Sequence, residues 1–344
     1  MNKFLFLIVL VVAGCGGGAS NDAQHSTDQK KLESDAILKN HQHKESKADF
    51  DAIVRQFSST KTITDEQAES LSKFPFIRLN GLTSITDKQA ESLSKANMLY
   101  LNGLTSITDK QAKSLEKAEN LELAGLTSIT DEQATSLGKV DRLKLNGLTS
   151  ITDEQAESLS RVGTLYLNGL TSITDEQAES LSKVEGIYLA GLTSITDKQT
   201  ESLSKVEGIY LAGLTSTTDK QTESLSKVEW LYLNGLTSIT DKQAESLSKV
   251  DRLNLGLTSI TDKQAEILSK VGFGIYLNGL TSITDEQAES LSKVKSAIEL
   301  GGLTSITDKQ AEILSKVKGG IWLDGLTSIT NQQAESLSKV FSLG

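Results

Sequence analysis

The chain has 344 residues, 37% hydrophobic and 23% charged, with 26 Gly, one Pro, one Cys and three His; Asp plus Glu outnumber Lys plus Arg by 45 to 35, a formal net charge of −10. No segment concentrates basic residues, so the chain offers no phosphate-neutralising surface and no nucleic-acid partner is expected. His25, His41, His43 and the lone Cys15 all lie before residue 50, so from Thr60 onward no imidazole or thiol exists for acid–base work, nucleophilic attack, structural zinc or a disulfide.

The first residues read as an address. Met1 to Lys3 give a positive start and Phe4 to Ala13 a ten-residue apolar run, which has signal-peptide length and falls short of the roughly 20 residues a spanning helix needs. Val12-Ala13-Gly14-Cys15 resembles the lipobox of bacterial lipoproteins. The resemblance implies that residues 1–14 are a signal peptide cut before Cys15, whose thiol is diacylated with palmitate-like chains and whose new N-terminus is acylated. An ordinary secreted protein with a stray cysteine is the alternative. Several acyl chains, at about 0.8 kcal/mol per buried methylene, would anchor the protein firmly to a membrane without spanning it. Gly16 stands where an Asp would imply retention at an inner membrane, so the resemblance implies the bacterial cell envelope, at the outer membrane or cell surface. Residues 15–47 are too polar to bury a core and read as the lipidated Cys and a flexible tether, with a reach on the order of 30 Å.

Residues 48–61 carry Phe50, Ile53, Val54 and Phe57 at helical spacing, which suits an N-terminal helical cap over the first repeat. Residues 62–344 then repeat a phrase whose common form is L-Y-L-N-G-L-T-S-I-T-D-E/K-Q-A-E-S-L-S-K-V. The Leu opening each Leu-Thr-Ser falls at 82, 104, 126, 148, 170, 192, 214, 236, 257, 280, 303 and 326, a spacing of 22, then 21 once, then 23.

Within a unit the period changes. Leu99-Tyr100-Leu101 alternates as a short strand does, with both leucines inward. Asn102-Gly103 turns the chain and Ile107 plugs the core. Thr108-Asp109-Lys110-Gln111 has the form of a capping box, with Asp109 at the positive end of the helix dipole. A helix of two to three turns follows, burying Ala112 and Leu115. One strand and one short helix cannot bury their apolar faces alone, so the units must stack into a solenoid, predicted to hold 12 strands and 13 helices.

L-x-L-x-G-L-T-S-I-T-D-E-Q resembles a leucine-rich repeat, nearest to the cysteine-containing and ribonuclease-inhibitor-like types, and its GLTSITD wording is similar to that of bacterial leucine-rich-repeat lipoproteins. The resemblance spans about residues 62–340 and implies an α/β solenoid with parallel strands on a concave face, short helices on a convex face, and a binding role. One departure is clear. Leu82, Leu104 and their equivalents stand where the family has Asn or Cys, so nearby Thr or Ser hydroxyls, or water, are expected to hold the loop backbone.

The outward strand position reads Arg78, Tyr100, Glu122, Lys144, Tyr166, Tyr188, Tyr210, Tyr232, Asn254, Tyr276, Glu299 and Trp322 down the stack, and holds every tyrosine in the chain. Two residues earlier come Gly186, Gly208 and Trp230. Stacking would set these tyrosines about 4.8 Å apart on one face, an aromatic platform suited to a sugar or an extended peptide. The structural alternative is that tyrosine is a good exposed strand residue whose rings reinforce the sheet. The Asp column (Asp65, Asp87, Asp109, Asp131, Asp153) has calcium-ladder regularity, but helix starts explain it without a metal. The Thr-Ser pairs have no base to activate them.

The sequence therefore predicts a lipid-anchored envelope protein, not an enzyme and without a cofactor, that binds an extracellular or envelope protein or glycan through Tyr166, Tyr188, Tyr210, Tyr232 and Trp230, with Tyr100, Tyr276 and Trp322 further along the column. The competing expectation is a structural spacer that self-associates end to end.

Overall fold

The computed structural model describes residues 60–340 and 342–343. The signal peptide, Cys15, the tether and nearly all of the predicted cap, with Phe50, Ile53, Val54 and Phe57, lie outside the described residues. The repeats belong to one unit, Phe57–Gly344.

Each copy begins with a threonine. Thr174 is extended, and its hydroxyl accepts the backbone N–H of Gln177 while the Gln177 side chain accepts the N–H of Thr174, so two orphan donors are satisfied reciprocally. The helix that follows, Asp175–Leu181, has seven residues, about two turns, which is far too short to persist alone. Its inward Ala178 and Leu181 are fully buried, as are the strand leucines Leu165 and Leu167 and the loop Leu170. Each fully buried leucine contributes about 1.5–3 kcal/mol, and equivalent buried residues recur in most copies. The core is thus a column of leucines running the length of the stack.

Among the described residues 13 such helices alternate with 13 strands, from Phe76–Arg78 to Ser342–Leu343. The strands form one parallel sheet in sequence order. Sequence reading anticipated twelve strands; the thirteenth, Ser342–Leu343, pairs with Gly320–Ile321. It escapes the pattern because no Leu-x-Leu marks it.

What joins one turn to the next is only partly a matter of leucine. The Gln177 Nε2 donates to the carbonyl oxygen of Ile151 in the preceding turn at 2.9 Å, and the same bond runs from Gln89 to Ile63 and so on to Gln333 with Ile306. All of these glutamines except the half-buried Gln221 are buried, and each is a two-way clip: Oε1 caps its own helix and Nε2 holds the turn before. The threonine hydroxyl also points backward, Thr174 Oγ1 donating to Asp153 Oδ1 at 3.1 Å. The Asp column is therefore an inter-turn ladder. Where the next copy has Lys rather than Glu after its own Asp, the ladder gains an exposed ion pair such as Lys198–Asp175, 3.3 Å. No group of three His, Cys, Asp or Glu among the described residues is placed to hold a metal.

The loop after the strand departs from expectation. Leu82 is fully buried and its N–H donates to the Leu79 carbonyl. The side chain that ties neighbouring loops is the asparagine just after the strand: Asn80 Oδ1 accepts the Asn102 N–H, Asn102 Oδ1 the Ala124 N–H, and Asn146 and Asn168 do likewise. The anticipated hydroxyl bond occurs at Thr258 and Thr327, which donate to Thr237 and Thr304 carbonyls. The glycine that follows is obligatory for another reason. A Cβ on Gly169 would strike the carbonyl oxygens of Asn146 and Leu148 in the turn before.

Candidate functional site

In-register pairing puts the outward column side by side. Tyr166 lies opposite Tyr188, Tyr188 opposite Tyr210, and Tyr210 opposite Tyr232. Their rings turn toward one another, with centroids 4.0 Å apart at an interplanar angle of 15° for Tyr166 and Tyr188, then 5.5 Å at 28° and 5.5 Å at 40°. The result is a wall of stacked, half-buried rings. Stacked faces are covered, so the wall presents ring edges and phenolic oxygens where the sequence promised open faces.

Burial holds Tyr188 and Tyr232 above the ordinary phenol pKa, and a hydrogen bond with Tyr166 adds to the effect at Tyr188. Both therefore stay neutral and able to donate or accept at physiological pH.

Beside the wall the strand face sinks. The neighbouring outward column runs Arg142, Thr164, Gly186, Gly208, Trp230 and Arg252 in register. Two adjacent glycines leave a trough of 220 Å³, bounded by the tyrosines along one side and by Glu185 and Glu207 along the other, with Thr164 and Arg142 at one end and Trp230 at the other. The indole leans over Gly208, where an added Cβ would sit 3.0 Å from a ring carbon. Trp230 is 42% exposed.

The ends of the aromatic row are occupied by the protein's own cations. The Lys144 amine lies 5.2 Å from the Tyr166 ring while paired at 2.6 Å with Glu122, and the Arg252 guanidinium lies 5.9 Å from the Trp230 ring.

The column thus splits into parts. Tyr166, Tyr188, Tyr210, Tyr232 and Trp230 line one trough. Tyr100 stands apart, three strands from Tyr166 and behind Glu122 and Lys144, packed edge-on against Phe76 at 5.1 Å and under Arg78. Tyr276 is separated from Tyr232 by Asn254, and Trp322 folds across Gly320 on its own strand. Sequence reading missed Glu185, Glu207, Thr164 and Arg142. Glu185 and Glu207 occupy the outermost position before the strand, where the repeat has no fixed residue type, so only the paired Val-Glu-Gly-Ile-Tyr copies at 184–188 and 206–210 signalled them.

No helix among the described residues is long and apolar enough to cross a membrane. No family model matches the chain, and no curated protein matches it in sequence. Among solved structures, an internalin (inlF) of Listeria monocytogenes is 18% identical over 85% of this chain and 92% of that one, with a TM-score of 0.48. The Toll–Spätzle complex of Drosophila is 14% identical over 78% of this chain and 47% of that one, at 0.45, and internalin C2 of Listeria monocytogenes is 17% identical over 63% and 91%, at 0.37. The parallel register, the leucine column and the strand–loop–helix repeat described above make this chain a leucine-rich-repeat solenoid of the α/β class.

Proposed function

We propose that the chain is a binding protein of the bacterial cell envelope, held at a membrane by lipid on Cys15, which captures a protein or glycan partner on its strand face and catalyses no reaction. The observation that carries this reading is the trough beside Tyr188 and Tyr210: a concave, partly aromatic site with unpaired carboxylates, set on a sheet whose every other dimension is fixed by the stack. A merely structural tyrosine column would reinforce the sheet equally well without a depression beside it. The binding surface varies from copy to copy while the clip and ladder residues hardly change, which is how a rigid frame carries a specific site. The anchor rests on Val12-Ala13-Gly14-Cys15 and the apolar run before it.

Two measurements test the two halves separately. Crosslinking on intact cells identifies the partner, and Tyr188→Ala with Tyr210→Ala is expected to weaken its capture about tenfold or more, since aromatic anchors in a pocket carry most of a binding energy, with circular dichroism unchanged. Capture equal to wild type would remove the trough as the site. Cys15→Ser is expected to move the protein from the membrane to the soluble fraction; retention in the membrane fraction would overturn lipid anchoring.

A further inference from the structure

We propose that the trough receives one cationic side chain, an arginine or lysine carried on a basic polypeptide; this rests on the binding reading above and names the chemistry of its partner. Size comes first. At 220 Å³ the trough is smaller than the roughly 300–1,000 Å³ of a small-molecule pocket, and its length is two glycine strands between Thr164 and Trp230. That is room for one long side chain entering end-on, with the rest of the polypeptide lying across the sheet.

Charge then selects the side chain. Glu185 and Glu207 are both exposed on the rim and sit on adjacent strands, joined by the Glu207 N–H to the Glu185 carbonyl at 2.8 Å. Like charges side by side on a sheet destabilise it. Several other carboxylates of the array hold cations: Glu157 holds Lys183, Glu116 holds Lys113 and Lys139, Glu122 holds Lys144. Glu185 and Glu207 make no ion pair with any described residue. The nearby cations are engaged at the two ends, Lys144 with Glu122 and Tyr166, Arg252 against Trp230. Arg142 lines the Thr164 end, one positive group against two negative ones. A guanidinium or ammonium group in the middle would relieve the repulsion, bond to carboxylates in the strong charge-assisted manner, and find phenolic oxygens along the opposite wall.

The wall argues against a sugar. Carbohydrate rings lie on open aromatic faces, and here the faces of Tyr166, Tyr188 and Tyr210 are turned against each other. Edges and hydroxyls suit a donor-rich cation.

The test uses Trp230 as reporter in the full-length, detergent-solubilised protein, with Trp322, well away from the trough, as constant background. Three probes are titrated: a capped alanine-based peptide bearing arginines, the same peptide with glutamates in their place, and a neutral chito-oligosaccharide. The arginine peptide alone is expected to shift the emission, and to do so less as salt is added. Glu185→Gln with Glu207→Gln is expected to raise its Kd about tenfold or more. Gly186→Leu plugs the floor; a Cβ there meets nothing nearer than Thr164 at 3.6 Å, so the variant keeps its unfolding midpoint and loses the shift. Binding of the arginine peptide that survives both variants, or a shift with the oligosaccharide and none with the peptide, would overturn the proposal. If the Tyr188 and Tyr210 variant loses the crosslinked partner while wild type ignores the arginine peptide, the binding face stands and its cationic selectivity falls.

Discussion

Gln177 shows how much one side chain holds. Its Oε1 accepts the Thr174 N–H at 3.0 Å in a part-buried setting, and its Nε2 reaches Ile151 O in the previous turn at 2.9 Å in a buried one. Gln177→Ala would strand the buried Ile151 C=O and the part-buried Thr174 N–H together; an unsatisfied buried group costs about 1–3 kcal/mol and the more exposed N–H adds less. A loss of about 2–4 kcal/mol in urea unfolding is therefore expected. Gln177→Glu separates the two roles: it keeps the acceptor for Thr174 and removes the donor to Ile151, so a loss nearly as large would assign the stability to the clip rather than the cap. Half of this residue was legible in the sequence. Thr-x-x-Gln announces a capping box by itself, but the Nε2 partner lies 26 residues earlier and carries no mark, being a backbone carbonyl. The tyrosine column was legible from the spacing of the copies. Its stacking was not, because ring orientation follows from what the flanking glycines leave open. The phenols also give a pH signature. Burial first, and the Tyr166 hydrogen bond at Tyr188, hold Tyr188 and Tyr232 protonated in the folded state, above the ordinary value of 10.0. A folded chain that keeps its protons longer than the unfolded one has that stabilisation in full below the unfolded pKa and loses it as pH rises through the folded values. Absorbance titration should show these two tyrosines ionising last, and Tyr188→Phe should flatten the alkaline fall in stability.

At the scale of the element, a seven-residue helix is tolerable only because its N-terminus and one flank are held by a neighbouring turn. The threonine N-cap accepts one bond from its own helix and donates another to the Asp of the turn before, as Thr174 does to Gln177 and Asp153. The N-cap and the inter-turn contact are therefore one interaction, and Thr174→Val, which preserves shape and removes both bonds, should cost about 1–2 kcal/mol. The copies vary between Asp-Glu and Asp-Lys at the helix start. In the structure each Lys reaches back to the previous Asp, as Lys88 to Asp65 and Lys309 to Asp285. These pairs are exposed and individually worth little, so the Glu-bearing copies lose nothing that the threonine bond does not already supply. One copy departs further. Thr217 stands where the others have an inward Ile, and its hydroxyl lies 2.9 Å from that of Thr222, which itself replaces the usual buried Ala. The two polar substitutions satisfy one another, and the Thr222 hydroxyl also donates to the Thr218 carbonyl. A coupled pair of this kind is invisible to periodicity, because each member alone reads as a defect in the core.

For the whole molecule, every contact of consequence reaches one turn forward or back: strand to strand, clip to preceding carbonyl, threonine to preceding aspartate. Stability should therefore be a sum of copies and nearest-neighbour interfaces, and the array should accept a change in copy number provided the phase is kept. Removing residues 262–284 joins Thr261 directly to Asp285. The capping box is regenerated as Thr-Asp-Glu-Gln, the strand Arg252–Leu255 meets Ala297–Glu299, and Gln287 inherits the carbonyl of Ile239 that Gln264 held before. The trough lies on the strands 164–166 to 230–233 and is untouched. This shortened chain should fold with the same circular dichroism per residue, unfold cooperatively at slightly lower urea, and keep its ligand response. Removing only residues 262–272 also shortens the chain, yet it sets a strand where a helix must begin and turns the inward leucines of that copy out of the core. Loss of cooperativity is expected there. If the two deletions behaved alike, stability would not be carried by the phase of the repeat, and the alignment of Tyr166 with Tyr188, Tyr210 and Tyr232, which exists only through that phase, would lose its physical basis.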